Sequence, residues 1–470
     1  MNASRGNRMF SKIRIAAYWP LALLITVGIA GPANAQNIFR GSDSTETGYS
    51  TWDADAINIE NVSETGHGVY VAVLDTGLAP NYRDYFPAAR IDANLGTGFY
   101  QPVSFKAHND ECGFGITVGK LIQSSFVGSV GSEHGTHVTS TILGFNYRSN
   151  FDALSGFEIP PIQVRGIAPE VTVIPVRVLS DYQLPALPNC EDGPVPAQNV
   201  VFGTSEMVSA GIDYVTDLAI AGYRPMVINM SLGGGSLEPV EKTALDRAIA
   251  NGVIIVASAG NAGTAGMGFP GAYPPVISVA AAGWNNTFQT PDGVNFPYRM
   301  YWLQNGNDFV PPLLPDGGEV PEPTPTTGAA FFDGGVYIIG FSSRELAGQE
   351  LDVAAPGVFI RGPFAGFPGY THLPWWAKGI GDLVSGANPG NFFYVSGTSM
   401  ASPHVAGVAA LMVQKDPGLT QSEVESILKA TTLPMPPGFG GNNIVGFQSW
   451  GADATGSGLI QADDAINAIP

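Results

Sequence analysis

The chain has 470 residues, a formal net charge of -19, a hydrophobic fraction of 44%, 60 glycines and 13% charged residues. That apolar content excludes wholesale disorder, and an acidic balance without any basic stripe argues against nucleic acid as a partner. Sparse charge with abundant glycine fits a tightly turned fold with many short loops better than a long helical array.

The N-terminus reads as an export signal. Arg5, Arg8, Lys12 and Arg14 precede an apolar stretch from Ile15 to about Gly31. Ala33-Asn34-Ala35 then supplies the small-x-small pattern that signal peptidase accepts. Residues 1–35 are expected to be removed, leaving Gln36 first and no stable membrane anchor. Pro20 and Gly28 interrupt the run, which is short beside the roughly 20 residues a spanning helix needs. A secreted or periplasmic location follows. There the two cysteines, Cys112 and Cys190, either pair or remain separate thiols, and the oxidising compartment favours a disulfide.

Residues 36–51 are polar and form an N-terminal arm, and residues 52–470 read as one domain. Val69 to Leu74 is a short, nearly continuous apolar run, as suits a strand buried on both faces of a parallel sheet. Val171 to Leu179, Met226 to Met230, Val253 to Ala257 and Val276 to Ala280 repeat the pattern. Helical periodicity lies between them. Ser205 to Ala221 aligns Val208, Ile212, Val215 and Leu218, and Glu238 to Ala250 carries Pro239 in its first turn. Strands alternating with helices predict an α/β fold of three layers, a mainly parallel sheet with helices on both faces. Residues 101–130, 284–335 and 361–392 read as surface insertions.

Three segments carry chemistry. Asp75 ends the first apolar run, where open α/β sheets place their sites, with Gly77 allowing a sharp exit. Standing alone, it would be an aspartate that begins a turn. His134 opens a helix running to about Leu143. His137 lies one turn on, so a metal pair is a rival reading, but the H-E-x-x-H of a zinc peptidase is absent. Ser399 starts an apolar helix running to about Gln414. Alone it would be an N-cap; beside Gly397, the helix N-terminus also offers donors to an oxyanion. A serine nucleophile needs a histidine base, and that base needs an acceptor to fix its tautomer.

Together Asp75-Thr76-Gly77, His134-Gly135-Thr136-His137-Val138 and Gly397-Thr398-Ser399-Met400-Ala401-Ser402-Pro403-His404-Val405-Ala406-Gly407 resemble the subtilisin-like serine protease family, the subtilases. The resemblance covers most of residues 66–470. It implies a sheet of about seven strands and a Ser399–His134–Asp75 triad that hydrolyses peptide bonds through an acyl-enzyme. Val256-Ala257-Ser258-Ala259-Gly260-Asn261 resembles the family's oxyanion segment, which implies that Asn261 and the Ser399 N–H hold the oxyanion. Ile228-Asn229-Met230-Ser231-Leu232-Gly233-Gly234 resembles its substrate strand. Ser231, Leu232 and Gly233, with Ala259 and Gly260, are therefore the expected peptide-binding residues.

A protein or peptide substrate, a monomer and no cofactor for the chemistry are expected. Structural calcium has no assignable site, because no D-x-D-x-D-G loop is present and Phe145 to Val164 departs from the family's calcium loop. Two alternatives keep the same residues: a peptide ligase or cyclase, in which an amine intercepts the acyl-enzyme, and an inactive binding protein. The stretch between Gln36 and the Asp75 strand is short, so folding without a separate prosegment is expected.

Overall fold

Nine strands form the central sheet among the described residues, those at its centre being largely apolar runs. They are Tyr70–Asp75 (β1), Thr97–Tyr100 (β2), Ile122–Ser124 (β3), Thr172–Arg177 (β4), Met226–Met230 (β5), Ile254–Ser258 (β6), Ile277–Trp284 (β7), Val336–Ile338 (β8) and Val353–Pro356 (β9). The computed structural model describes residues 43–48, 50–108, 112–128, 132–147, 162–188, 190, 193–285, 335–364, 392–442 and 445–470. The export segment and most of the second and third insertions lie outside these residues. Among the described residues no helix is long and apolar enough to cross a membrane.

The strand order is β8-β7-β6-β5-β1-β4-β2-β3, with β9 also paired to β7. The pairings β2–β4, β4–β1, β1–β5, β5–β6, β6–β7 and β7–β9 are all parallel, which accounts for the seven parallel strands expected. β3 and β8 run antiparallel on their neighbours β2 and β7. β3 lies within the stretch 101–130. That stretch is thus not all surface insertion: it supplies an edge strand, and a hairpin of Val103–Ala107 with Phe114–Val118.

Alternation along β1 divides the core. Val71 and Val73 pack in one cluster with Val138 and Ile142 of helix Glu133–Leu143 (α1) and Val405 and Val408 of helix Thr398–Lys415 (α4). Ala72 and Leu74 pack in another, with Val208 and Ile212 of helix Ser205–Ile220 (α2) and Leu245 of helix Pro239–Ala250 (α3). The sheet is thus the middle of three layers. α4 is buried from Thr398 to Val413, in keeping with a helix that is apolar or small all round. A further helix, Gln421–Ala430 (α5), begins on a Thr420–Glu423 capping box.

Candidate active site

Parallel strands bring their carboxyl ends to one edge of the sheet. Asp75 ends β1, Ser231 follows β5, and Ala259, Gly260 and Asn261 follow β6, so strand order alone gathers them. Two helix starts meet this edge: α1 opens one residue before His134, and α4 one residue before Ser399.

Asp75 is fully buried. Its Oδ1 accepts from Thr76 N at 2.6 Å and lies 2.8 Å from His134 Nδ1. Gly77 makes the exit from β1 at φ +79°, where any side chain would meet the Phe126 carbonyl oxygen at 2.0 Å. The turn is laced to α1: Gly135 N donates to Thr76 Oγ1 at 2.9 Å, and Ser132 Oγ to the Thr76 carbonyl at 2.9 Å. Asp75 and His134 are therefore held through their backbones as well as through the side-chain bond.

His134 keeps 26% of its side chain exposed, against none for Asp75. Burial pushes the His134 pKa down, but the charge and hydrogen bond of Asp75 together outweigh burial, so the value ends above the ordinary one. His137 is wholly buried, with Nε2 3.1 Å from the Ile360 carbonyl. It packs between α1 and the Ile360–Pro363 strand, and among the described residues it joins no group able to share a metal ion.

Ser399 is 3% exposed. Four residues on stands Pro403, which has no N–H to give to the Ser399 carbonyl. Ser231 fills the gap: its Oγ donates to that carbonyl at 2.7 Å, and Ser399 Oγ donates to the Ser231 carbonyl at 3.2 Å. The start of α4 is thereby fastened to the end of β5. Asn261 is oriented from the same helix end, since its Oδ1 accepts from both the N–H and the hydroxyl of Thr398 at 3.0 Å. Both donors take the oxygen of the amide, which fixes which of its ends is Nδ2.

The expected peptide-binding residues meet on neighbouring strand ends. The Leu232 carbonyl accepts from Ser258 Oγ at 3.2 Å, and Gly260 N donates to Thr398 Oγ1 at 3.2 Å. Gly234 and Phe269 exchange backbone bonds, Gly234 N to Phe269 O at 2.6 Å and Phe269 N to Gly234 O at 2.8 Å. Thr76, Thr398, Asn229 and Ser402 were not singled out by sequence reasoning. Their signal in the sequence is their place inside the quoted motifs.

The family model described as the subtilase family matches residues 66–451. The chain belongs to the subtilase family. This family is one of serine-type endopeptidases. The subtilase is 27% identical over 419 residues to fervidolysin of Fervidobacterium pennivorans, covering 88% of this chain and 43% of that protein. It is 26% identical over 378 residues to subtilisin DY of Bacillus licheniformis, covering 80% of this chain and 87% of that one. It thus spans less than half the length of fervidolysin. Among solved structures, fervidolysin, described as a keratinolytic enzyme related to subtilisin, matches at 23% identity with a TM-score of 0.49, covering 89% of this chain and 46% of the other. The fold assignment rests on the strand order and two packed faces above.

In this subtilase Cys112 and Cys190 form a disulfide across a sequence separation of 78. It ties the Val103–Ala107 hairpin to the segment between strands Ser180–Leu184 and Gln198–Phe202, which pair with each other. That second hairpin leaves the sheet just beyond β4, whose last residue, Arg177, is in register with Asp75. Phe105 packs edge-on against Phe114 and Phe202, and Tyr182 stacks on Phe202 at 4.2 Å between centroids. The disulfide and these aromatic rings make one rim unit rising from the active-site edge.

Among the described residues, the acidic group close enough to share a metal ion is Glu350, Asp352 and Glu425. Lys429 Nζ occupies its centre, 2.6, 3.0 and 3.3 Å from the three carboxylates. An ammonium already stands where the ion would sit, so the cluster does not fit a calcium site.

Proposed function

We propose that this subtilase is a secreted serine endopeptidase in which Ser399, His134 and Asp75 form the catalytic triad. The observation that carries the reading is the 2.8 Å contact of His134 Nδ1 with the buried Asp75 carboxylate. It commits Nδ1 to donate and leaves Nε2 as the basic nitrogen.

In the proposed reaction the substrate strand lies along residues 231–233 and Ala259–Gly260. Ser399 Oγ gives its proton to His134 Nε2 and attacks the scissile carbonyl carbon. The oxyanion is held by Asn261 Nδ2 and the Ser399 N–H at the start of α4. His134 passes the proton to the leaving amine, and the acyl-enzyme forms. Water, deprotonated by His134, then releases the acid and restores Ser399. At rest Ser399 Oγ donates to the Ser231 carbonyl; exchanging that acceptor for His134 accompanies substrate binding. Export rests on the sequence of residues 1–35.

A fluorophosphonate probe tests the assignment. It should label Ser399 in the wild type and leave Ser399→Ala unlabelled, with the variant's circular dichroism native. Labelling of another residue would overturn the triad.

A further inference from the structure

We propose that Asn229 and Ser402 are positioning residues that set the nucleophile through Ser231. The inference rests on Ser399 being the nucleophile and adds the device that holds it.

Four buried groups form one directed chain. Ser402 Oγ donates to Asn229 Oδ1 at 2.8 Å, and Asn229 Nδ2 donates to Ser231 Oγ at 3.1 Å. Ser231 Oγ donates to the Ser399 carbonyl at 2.7 Å. Asn229, Ser231 and Ser402 have no exposed surface. Asn229 stands on β5 between the fully buried Ile228 and Met230, where an amide is costly unless both its ends are bonded.

The chain has a direction because each link removes a choice from the next. Ser402, as donor, makes the end of the Asn229 amide that faces it an acceptor. The other end then donates to Ser231. A serine hydroxyl has one proton, and Asn229 Nδ2, itself a donor, cannot accept it, so that proton goes to the Ser399 carbonyl. Pro403 leaves this carbonyl without its usual helical donor, so the bond from Ser231 governs the first turn of α4. The same turn aims the Ser399 N–H and Oγ, both of which act on the reacting carbonyl. Catalytic groups held loosely by even about 0.5 Å lose rate, so this chain acts on kcat.

Kinetics of Ser402→Ala, Ser231→Ala and the double variant on a peptide substrate test the proposal. Ser402→Ala should lower kcat roughly three- to tenfold, the scale of one buried hydrogen bond, with KM unchanged. Because both residues act through one chain, the double variant should have the kcat of Ser231→Ala alone. If Ser402→Ala loses its native circular dichroism, Ser402→Cys replaces it. Its thiol is a weaker donor to Asn229; it should lower kcat where Ser231 is present and cost nothing further beside Ser231→Ala. An unchanged kcat, an effect confined to KM, or additive losses in the double variant would overturn the positioning role. Fluorophosphonate labelling of the wild type reads the nucleophile separately: a label away from Ser399 sinks the triad, whereas a label on Ser399 with additive losses sinks only this chain.

Discussion

His404 and Asp53 meet inside the molecule, His404 Nε2 lying 3.0 Å from Asp53 Oδ2 across a sequence separation of 351. The other ring nitrogen of His404 lies 2.8 Å from the Met400 carbonyl, one residue beyond Ser399. The short helix Trp52–Asp55 is thus pinned to the helix that carries Ser399.

Asp53→Ala should therefore cost about 1–3 kcal/mol, because it leaves a buried ring nitrogen without its hydrogen-bond partner. Denaturant unfolding, carried out with Ser399→Ala to prevent self-digestion, measures the loss. A change below about 0.5 kcal/mol, as at an ordinary surface position, would show that the contact does not hold the arm.

Asn261→Leu should lower kcat about 100–1000-fold with little change in KM, as removal of one such donor does in subtilisin. The Thr398 bonds to Oδ1 orient the amide before substrate arrives, so the loss belongs to the transition state. A variant altered chiefly in KM would place Asn261 in substrate binding.

The acidic limb of kcat/KM should report His134, which acts as base only when neutral. Activity rises with pH through its pKa, and that midpoint lies above the ordinary value because Asp75 outweighs burial. Asp75→Asn removes both raising influences and leaves burial, so the imidazole midpoint followed by NMR should fall, while kcat drops by about 10,000-fold. An unmoved midpoint would contradict the assignment of Asp75.

Asp55 makes stability depend on pH in the opposite sense to an ordinary salt-bridged carboxylate. Burial first, and then the charge and hydrogen bond of Glu60, raise its pKa to about 7. The folded state keeps a proton that the unfolded chain releases near ~4. This contribution is full below that value and is lost as pH rises through about 7. Asp55→Asn, neutral throughout, should flatten the fall in Tm between pH 5 and 8 relative to the Ser399→Ala parent. Equal slopes in the two proteins would exclude Asp55 as the source.

The local pattern of the chain was enough for the inner strands and the helices between them. A buried parallel strand needs an unbroken apolar run, so β1, β4, β5, β6 and β7 were legible; Asp75 and Ser399 alone read as an ordinary turn and helix start, and with His134 they stood out as site candidates only through the resemblance of their three motifs together. Edge strands were not. β3 is exposed at Ile122 and Gln123, and a strand with one free edge needs no apolar signature, so it read as insertion. Contacts between elements were legible only in part. Two cysteines in an oxidising compartment led to the expected Cys112–Cys190 disulfide, which is present, but where it sits depends on two hairpins meeting above the sheet. Acidic side chains suggested calcium, but a helix had to turn Lys429 into their midst. The chain from Ser402 to the Ser399 carbonyl joins residues whose separations run to 173, and it exists only because strand order sets β5 beneath α4. Periodicity is a property of neighbours in sequence, whereas these contacts are decided by which elements the sheet places side by side.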